Sequence, residues 1–347
     1  MQQIKNRGGV NNAPPSKSLI DDLAILAGLF MVALWNWGPN LYYGQVYMMV
    51  LVGFLALAVM TRDPIMAVFG IYLVGWFAYL FSASSSGQIP EEVLIQAIDS
   101  LTFAMGGFLI YVTVRYGKTS TNSYMNAICT LAIVLAVMGL IRYFHGDGQA
   151  VATLGNTNFL AAFLAISVPC FFRKKWWMLL PLIIGTLFIA HTSTAIVAVL
   201  IGTGFYLWGW KGAALSLIPG IAYFALFKAP LSLLERISFW TDGLQKLSHS
   251  CNTMLFGVGP GIYWQAGNML HSAYAYLFWN FGIFGLWLAL FYILRSFLNI
   301  SVDRRIFASF LIVLADGVGN HLFHTAPTAM LAITIFALND RTLPSEV

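Results

Sequence analysis

Long apolar runs recur through this chain, and they limit how it can fold more than any other feature. Runs close to the roughly 20 residues that a helix needs to cross a bilayer follow one another from residue 19 to residue 338. Charged residues make up only 9% of the chain and hydrophobic residues 59%, and the mean hydropathy is +0.77. The sequence therefore excludes a soluble domain and predicts an all-α, polytopic membrane helical bundle.

The runs predict about twelve transmembrane helices in a single domain, residues 19–347. The polar, Gly- and Pro-rich residues 1–18 before it are predicted to be a disordered tail. Several predicted helices are short, so a re-entrant pair is an alternative to two full crossings. The predicted helices cover residues 19–37, 43–60, 65–81, 93–114, 125–141, 159–172, 176–190, 194–210, 213–227, 272–294, 306–318 and 327–338.

The distribution of basic residues predicts the orientation of this bundle. If the N-terminus is cytoplasmic, 14 of the 18 Lys and Arg residues fall in inner loops, and the outer side holds Arg142, Lys228, Arg236 and Lys246. Basic residues concentrate in cytoplasmic loops of membrane proteins. The bias therefore favours both termini on the cytoplasmic side, and it explains the net charge of +5 without a nucleic-acid partner.

The outer side also receives all six histidines and the one long loop, residues 228–271 between helices nine and ten. A loop of this length within a compact domain is usually functional or disordered. The three cysteines form no CxxC pair and no visible disulfide framework. Any chemistry is thus expected on the outer side.

Three stretches in or near this loop have residue types suited to chemistry. Residues 234–240, LERISFW, predict a short amphipathic helix, in which Arg236 and Trp240 either anchor the chain at the headgroups or bind the phosphate of a lipid-linked substrate. The run FGVGPG, with Gly257, Gly259 and Gly261, predicts a tight turn and is weak as a phosphate loop. His271 begins the tenth helix and is either a helix cap or a general base.

Further polar residues lie at the outer ends of other helices. Asn156 and Asn158 open the sixth helix, where asparagine is a good cap. Asp99 and Asp316 lie within spans, where an ionisable group is a functional hypothesis by default. His321 and His324 have the spacing of metal ligands but no evident third ligand, so no metal site is predicted.

The order of these motifs resembles the bacterial O-antigen ligase and O-antigen polymerase superfamily. Members typically read G-N-P-N-x-L-A, R-x-x-x-W, G-V-G-x-G and H-N-x-x-L-x-x-x-x-E-x-G-x-x-G-L. This chain has GNTNFLAAFLAISVP, Arg236 with Trp240, LFGVGPGIY and HSAYAYLFWNFGIFGL in the same order, within residues 155–288. No single motif is specific, but their order and spacing are, and the predicted topology agrees.

The resemblance implies a metal-independent membrane glycosyltransferase without a cofactor. It would move a glycan from undecaprenyl diphosphate to an acceptor hydroxyl at the periplasmic face of the bacterial inner membrane. Carried over by motif, His271 becomes the general base and Arg236 the diphosphate ligand. The remaining substrate-binding residues it implies are Asn156, Asn158, Trp240, Gly257, Gly259, Gly261 and Ser272.

The chain departs from the family pattern at three places. The turn AHTSTA, residues 190–195, lacks the family arginine, for which His191 or Arg142 could substitute. Ser272 replaces the asparagine after the histidine, and Asn280 replaces the glutamate before the glycine. These departures leave the expected fold unchanged and put catalytic activity in question.

Several functions share these motifs. The expected function is that of a ligase in lipopolysaccharide or surface polysaccharide assembly, which transfers the glycan to lipid A core. A polymerase would transfer it to a growing glycan, and a protein O-oligosaccharyltransferase would transfer it to a protein. Two readings of another class are a flippase for lipid-linked sugars and an inactive relative that modulates a host polymerase. No internal inverted repeat supports the flippase.

Overall fold

The computed structural model describes the second half of the chain in most detail. It covers residues 119–147, 156–227, 230–259, 272–298, 303–320 and 326–341 continuously, together with positions 75, 79, 86, 107, 110, 111, 113–115, 117, 150–152 and 154. The tail and the first two predicted helices lie outside the described residues, as does most of the next two. The described part is 85% helical and has no strand.

Nine α-helices are described in this part of the chain, and short 3-10 turns follow α2 and precede α3. Their bounds are α1 (Thr121–Arg142), α2 (Thr157–Ser167), α3 (Leu180–Ile189), α4 (Ser193–Phe227), α5 (Pro230–Leu247), α6 (Cys251–Phe256), α7 (Ala273–Leu298), α8 (Arg304–Gly317) and α9 (Ala326–Arg341).

Three of these helices are long and apolar enough to cross a membrane: α1, α4 and α7. Two shorter apolar helices cover Thr157–Phe171 and Trp177–Ile189. Large apolar side chains also lie exposed on the outside of the bundle, including Trp208, Ile221 and Trp287, where a bilayer would cover them. Within the described residues, the predicted all-helical fold is confirmed, and the apolar helices are consistent with a membrane-embedded protein.

The core lies between α2 and α8. All twelve residues from 160 to 171 are buried, as are the eight from 306 to 313, so both helices are enclosed by protein on every side. Phe307 packs between Phe205 and Phe310, with ring centroids 5.0 and 5.6 Å away. An all-round apolar helix is typical of such a central position.

The helix α4 reverses direction at Gly209. This residue has φ +66 and ψ −150, a conformation that glycine adopts readily. Gly204 then faces Gly212, and a Cβ on Gly220 would lie 3.0 Å from Val197 Cγ1. A straight helix would hold residues 197 and 220 about 35 Å apart. The two arms therefore pack antiparallel, in agreement with the predicted helices 194–210 and 213–227.

The helix α7 covers the predicted helix 272–294 and is broken at Gly282, a break that the sequence analysis did not predict. Tyr274 Oη donates to the carbonyl of Leu314 at 3.0 Å, and the Phe297 ring lies 5.6 Å from that of Phe310. A straight helix would separate residues 274 and 297 by about 35 Å, whereas Leu314 and Phe310 are one turn apart. The two arms therefore do not share one axis: the first arm (273–281) lies beside the C-terminal part of α8, and the second arm (283–298) reaches Phe307 near the start of α8.

The end that the second arm reaches is called here the basic end, because predicted inner loops gather there. Arg173 donates to Asn126 at 3.1 Å, and Arg341 donates to the carbonyls of Gly117 and Thr119. The end where α2 begins and α8 finishes is called the polar end. Arg142, at the C-terminus of α1, lies there.

Glycine substitutions test the α4 hairpin. Gly204→Ala or Gly212→Ala would drive a Cβ into the backbone carbonyl of the other glycine, so we expect each to destabilise the protein by about 1–3 kcal/mol. The measurement is the thermal unfolding midpoint of the purified protein in detergent.

Gly185→Ala is the matched control, since Gly185 lies within α3 and a Cβ there would meet nothing within 4 Å. Its midpoint should equal or exceed that of the wild type, because alanine favours a helix over glycine. Equal midpoints for all variants would contradict the hairpin packing.

Candidate functional site

A cavity of about 420 Å³ lies at the polar end, between α5 and the first arm of α7. Its volume falls in the range of small-molecule sites, and its lining is mostly apolar. Trp240 and Ser272, both predicted from the motifs, contribute to its wall. The full lining consists of Trp240, Gly243, Leu244, Leu247, Ser272, Tyr274, Ala275, Phe278, Trp279 and Val318.

The wall on one side is α5, which extends the predicted amphipathic segment 234–240 to Pro230–Leu247. Trp240 and Leu247 lie on its inner face and pack with Trp279 of α7. On its exposed face, Asp242 and Lys246 pair at 2.9 Å, in the i, i+4 arrangement that supports a surface helix. Arg236 belongs to α5, one turn before Trp240; its side chain lies outside the described residues.

The helix α6 connects this wall to the glycine loop. Ser250 accepts from the N–H of Asn252 at 3.2 Å and caps α6, and Thr253 Oγ1 donates to the Leu247 carbonyl at 2.8 Å. The helix ends at Gly257, whose φ of +79 is typical of a glycine that terminates a helix. The expected long outer loop is therefore helical over most of its described residues.

The loop after α6 fits into the break of α7. In an unbroken helix the carbonyls of Trp279 and Asn280 accept from the N–H groups four residues later, and the conformation of Gly282 interrupts that pattern. The N–H of Val258 donates to the Trp279 carbonyl at 2.9 Å, and that of Gly259 to the Asn280 carbonyl at 3.1 Å. The loop thus supplies the donors that the break removes.

This contact requires glycine on both sides. A Cβ on Gly282 would overlap the Leu255 carbonyl, and a Cβ on Gly257 would overlap the Asn280 backbone. The predicted tight turn is present at Gly257 and Gly259, both with positive φ. Gly261 lies outside the described residues.

Ser272 fixes the start of α7 against the end of α8. Its hydroxyl accepts from the N–H of Ala275 at 3.4 Å and donates to the Gly317 carbonyl at 3.3 Å. The side chain is buried, and its described hydrogen bonds go to the backbone. His271 lies outside the described residues and precedes Ser272 in the sequence.

A buried polar pair lies beside the same helix terminus. The carboxylate of Asp316 accepts from Asn320 Nδ2 at 3.1 and 3.3 Å, and both residues are buried. Asp316 directly precedes Gly317, so the structure brings it to the neighbourhood of Ser272. The sequence analysis singled out Asp316 and missed Asn320, which lies three residues beyond the end of α8.

Asn280 stands where the family pattern has glutamate, and it is fully buried. Its Nδ2 donates to the Tyr276 carbonyl at 2.9 Å. Its Oδ1 has no hydrogen-bond partner among the described residues. The described hydrogen bond of this side chain therefore lies within α7.

A second polar group lies at the start of α2. Asn156 Oδ1 accepts from the N–H of Asn158 at 2.7 Å and caps the helix, as predicted. Asn158 Oδ1 accepts from Thr192 Oγ1 at 3.0 Å, which ties α2 to the turn that departs from the family pattern. His191, in that turn, is exposed with φ +54. In the described part of the chain, no hydrogen bond or ion pair joins His191 or Arg142 to the cavity lining.

No three His, Cys, Asp or Glu side chains gather into a metal-ligand group within the part of the chain that the structure describes. His321, His324 and Asp99 lie outside that part. The expected absence of a metal site therefore stays a prediction.

Comparison with protein-family models and with curated protein sequences gives no match. The family resemblance therefore rests on the order and spacing of the motifs.

Substitution of Gly282 tests the coupling between the loop and the break. Gly282→Ala would clash with the Leu255 carbonyl and strain a backbone with φ +65. We expect a loss of stability of about 1–3 kcal/mol and faster amide hydrogen exchange at Val258 and Gly259, because their acceptors move. The measurement is hydrogen exchange followed by mass spectrometry.

Gly146→Ala is the control that introduces backbone strain at a positive φ without a steric clash. Gly146 has φ +105, and a Cβ there would meet nothing within 4 Å. This variant should leave exchange at residues 258 and 259 unchanged. Wild-type exchange in Gly282→Ala would contradict the proposed pairing.

Proposed function

We propose that this protein is a membrane glycosyltransferase that moves a glycan from a polyprenyl diphosphate to an acceptor hydroxyl at the polar end. The observation that carries the proposal is the cavity. Trp240 of the R-x-x-x-W motif and Ser272 of the histidine motif both line it, and the glycine loop pairs with α7, which forms one of its walls. Residues of two motifs about 30 positions apart in the sequence thus line the same cavity.

The chemistry of the cavity suits a lipid-linked donor. Apolar side chains such as Leu244 and Phe278 would contact part of the prenyl chain. The diphosphate would lie near the N-terminus of α7, where the helix dipole favours an anion. Arg236 would bind the same diphosphate, because a guanidinium is permanently charged and matches phosphate oxygens in a bidentate manner.

The reaction needs one bond formed and one broken. The acceptor oxygen attacks the anomeric carbon of the glycan, and the bond from that carbon to the diphosphate oxygen breaks. His271 accepts the proton from the attacking hydroxyl, and Arg236 stabilises the charge that develops on the leaving diphosphate. Positioning supplies much of the remaining acceleration.

Asp316 has a positioning role in this proposal. It adjoins Gly317, whose carbonyl accepts the hydrogen bond of Ser272, and Ser272 directly follows His271 in the sequence. A carboxylate near an imidazole orients it and stabilises its protonated form. In this role Asp316 acts through His271.

The orientation follows from the basic end. Basic residues concentrate on the cytoplasmic side of membrane proteins, so the cavity would open toward the periplasm of the bacterial inner membrane, with both termini in the cytoplasm. A ligase-like role in lipopolysaccharide or surface polysaccharide assembly fits best. Glycan polymerisation and protein glycosylation differ only in the acceptor: a lipid A core sugar, a growing glycan or a protein side chain.

Transfer assays on the reconstituted protein test this proposal. With undecaprenyl-diphosphate glycan and a panel of these acceptors, we expect His271→Ala and Arg236→Ala to lower transfer at least about 100-fold, the scale of a lost general base or charge stabiliser. Asp316→Asn should lower kcat more than it raises KM. A chelator should leave the wild-type rate unchanged.

His249→Ala is the matched control, because His249 is an exposed histidine in the connection between α5 and α6. The transfer rate of this variant should equal that of the wild type. Undiminished transfer by both His271→Ala and Arg236→Ala would overturn the assignment. Donor binding without product for any acceptor would favour the inactive relative, and donor crossing the bilayer without transfer would favour the flippase.

A further inference from the structure

Three turns meet at the basic end and form a surface that the proposed reaction does not use. They are the turn after α2 (172–179), the reversal of α4 (205–212) and the start of α8 (303–305), and we call their joint surface the basic platform. The rings of Phe172 and Tyr206 lie 4.6 Å apart. Arg304 Nη2 lies 3.3 Å from the position that a Cβ on Gly209 would take.

The platform carries a strong excess of positive charge. Asp303 is the only acidic residue in these three turns. Its carboxylate accepts three hydrogen bonds from Arg305: from Nε at 2.8 Å, from Nη2, and from the backbone N–H at 3.0 Å. Burial alone would raise the pKa of Asp303, but the hydrogen bonds and charge of Arg305 outweigh it and hold that pKa below its usual value. Asp303 is therefore ionised and paired with Arg305.

The other basic side chains of the platform have no carboxylate partner among the described residues. This leaves five cations for an external anion: Arg173, Lys174, Lys175, Lys211 and Arg304. Nearby cations without a counter-ion repel one another, and a bound anion would relieve that repulsion.

The turn after α2 is held in a defined shape. Asn126 Oδ1 accepts from Arg173 Nη1 at 3.1 Å and from Trp176 Nε1 at 3.0 Å. The Trp176 ring packs edge-on against Phe171, and Lys175 Nζ lies 5.4 Å from its centroid. Lys174 and Lys175 thus lie on a turn whose backbone is already ordered, so binding an anion would cost less conformational entropy.

Exposed apolar side chains follow the basic residues in the same turn. Trp177 is 59% exposed and Met178 is 73% exposed, and only Trp176 separates them from Lys174 and Lys175 in the chain. On the adjoining turn, Trp208 is also exposed. These apolar side chains would add nothing to the binding affinity of a soluble anion. A lipid would contact the lysines with its phosphate and the apolar side chains with its acyl chains.

We propose that the basic platform binds an anionic phospholipid of the surrounding bilayer, with Lys174 and Lys175 as the main phosphate ligands. Trp177 and Met178 contact the acyl chains. Arg173, Lys211 and Arg304 raise the local positive potential. This site lies at the end opposite the cavity and does not depend on the transferase activity.

Native mass spectrometry of the delipidated full-length protein tests this site. In neutral detergent, phosphatidylglycerol should bind more tightly than phosphatidylcholine. The double variant Lys174→Gln/Lys175→Gln should weaken phosphatidylglycerol binding by on the order of ten-fold, since each basic residue near an anionic membrane surface contributes several-fold. Lys174→Arg/Lys175→Arg should retain binding because the charge remains.

Lys246→Gln is the control for charge removal, since Lys246 is exposed at the polar end; its phosphatidylglycerol affinity should equal that of the wild type. Each variant is also compared in its thermal unfolding midpoint, which excludes misfolding as the cause. Equal affinity for both lipids, or unchanged affinity in the double Gln variant, would overturn the proposal. Displacement of phosphatidylglycerol by millimolar inorganic phosphate would assign the site to a soluble anion and overturn it as well.

Discussion

The pairing of the glycine loop with the break in α7 is the interaction on which the arrangement of the polar end depends. A broken helix in an apolar protein leaves carbonyls without donors, and such breaks are tolerated only where other groups replace the missing hydrogen bonds. The N–H groups of Val258 and Gly259 do so here. Because the loop also continues from α6 and α5, this pairing sets the distance between the two walls of the cavity.

The two helix breaks share a short sequence pattern. Residues 208–212, WGWKG, and residues 281–285, FGIFG, each place an aromatic residue before a glycine with φ near +65 and a second glycine three positions later. The second glycine admits the aromatic Cβ that the reversal brings close. The surroundings differ. The break at Gly209 lies near Arg304 at the basic end, whereas the one at Gly282 receives a protein loop.

Much of this architecture could be predicted from the sequence, because apolar runs and basic loops report directly on helices and their ends. The runs predicted the apolar helices of the described part within a few residues, and the split between residues 210 and 213 located the α4 reversal. They did not predict the full length of α5 or the helix α6, which lie in the predicted loop. The bend at Gly282 could not be predicted, since its stability depends on donors from residues 258 and 259, a non-local contact. The cavity escaped prediction for the same reason, and so did the burial of the Ser272 hydroxyl between two backbone groups.

The central claim is that the cavity binds a lipid-linked glycan donor, and site-specific photocrosslinking tests it directly. A photoreactive amino acid at Leu244, which lines the cavity and is 51% exposed, is compared with one at Ile218 on α4, which is 67% exposed on the outside of the bundle. With radiolabelled undecaprenyl-diphosphate glycan in nanodiscs, labelling should be stronger at residue 244 and should fall when unlabelled donor is added. Equal labelling at the two positions, insensitive to competitor, would contradict the account.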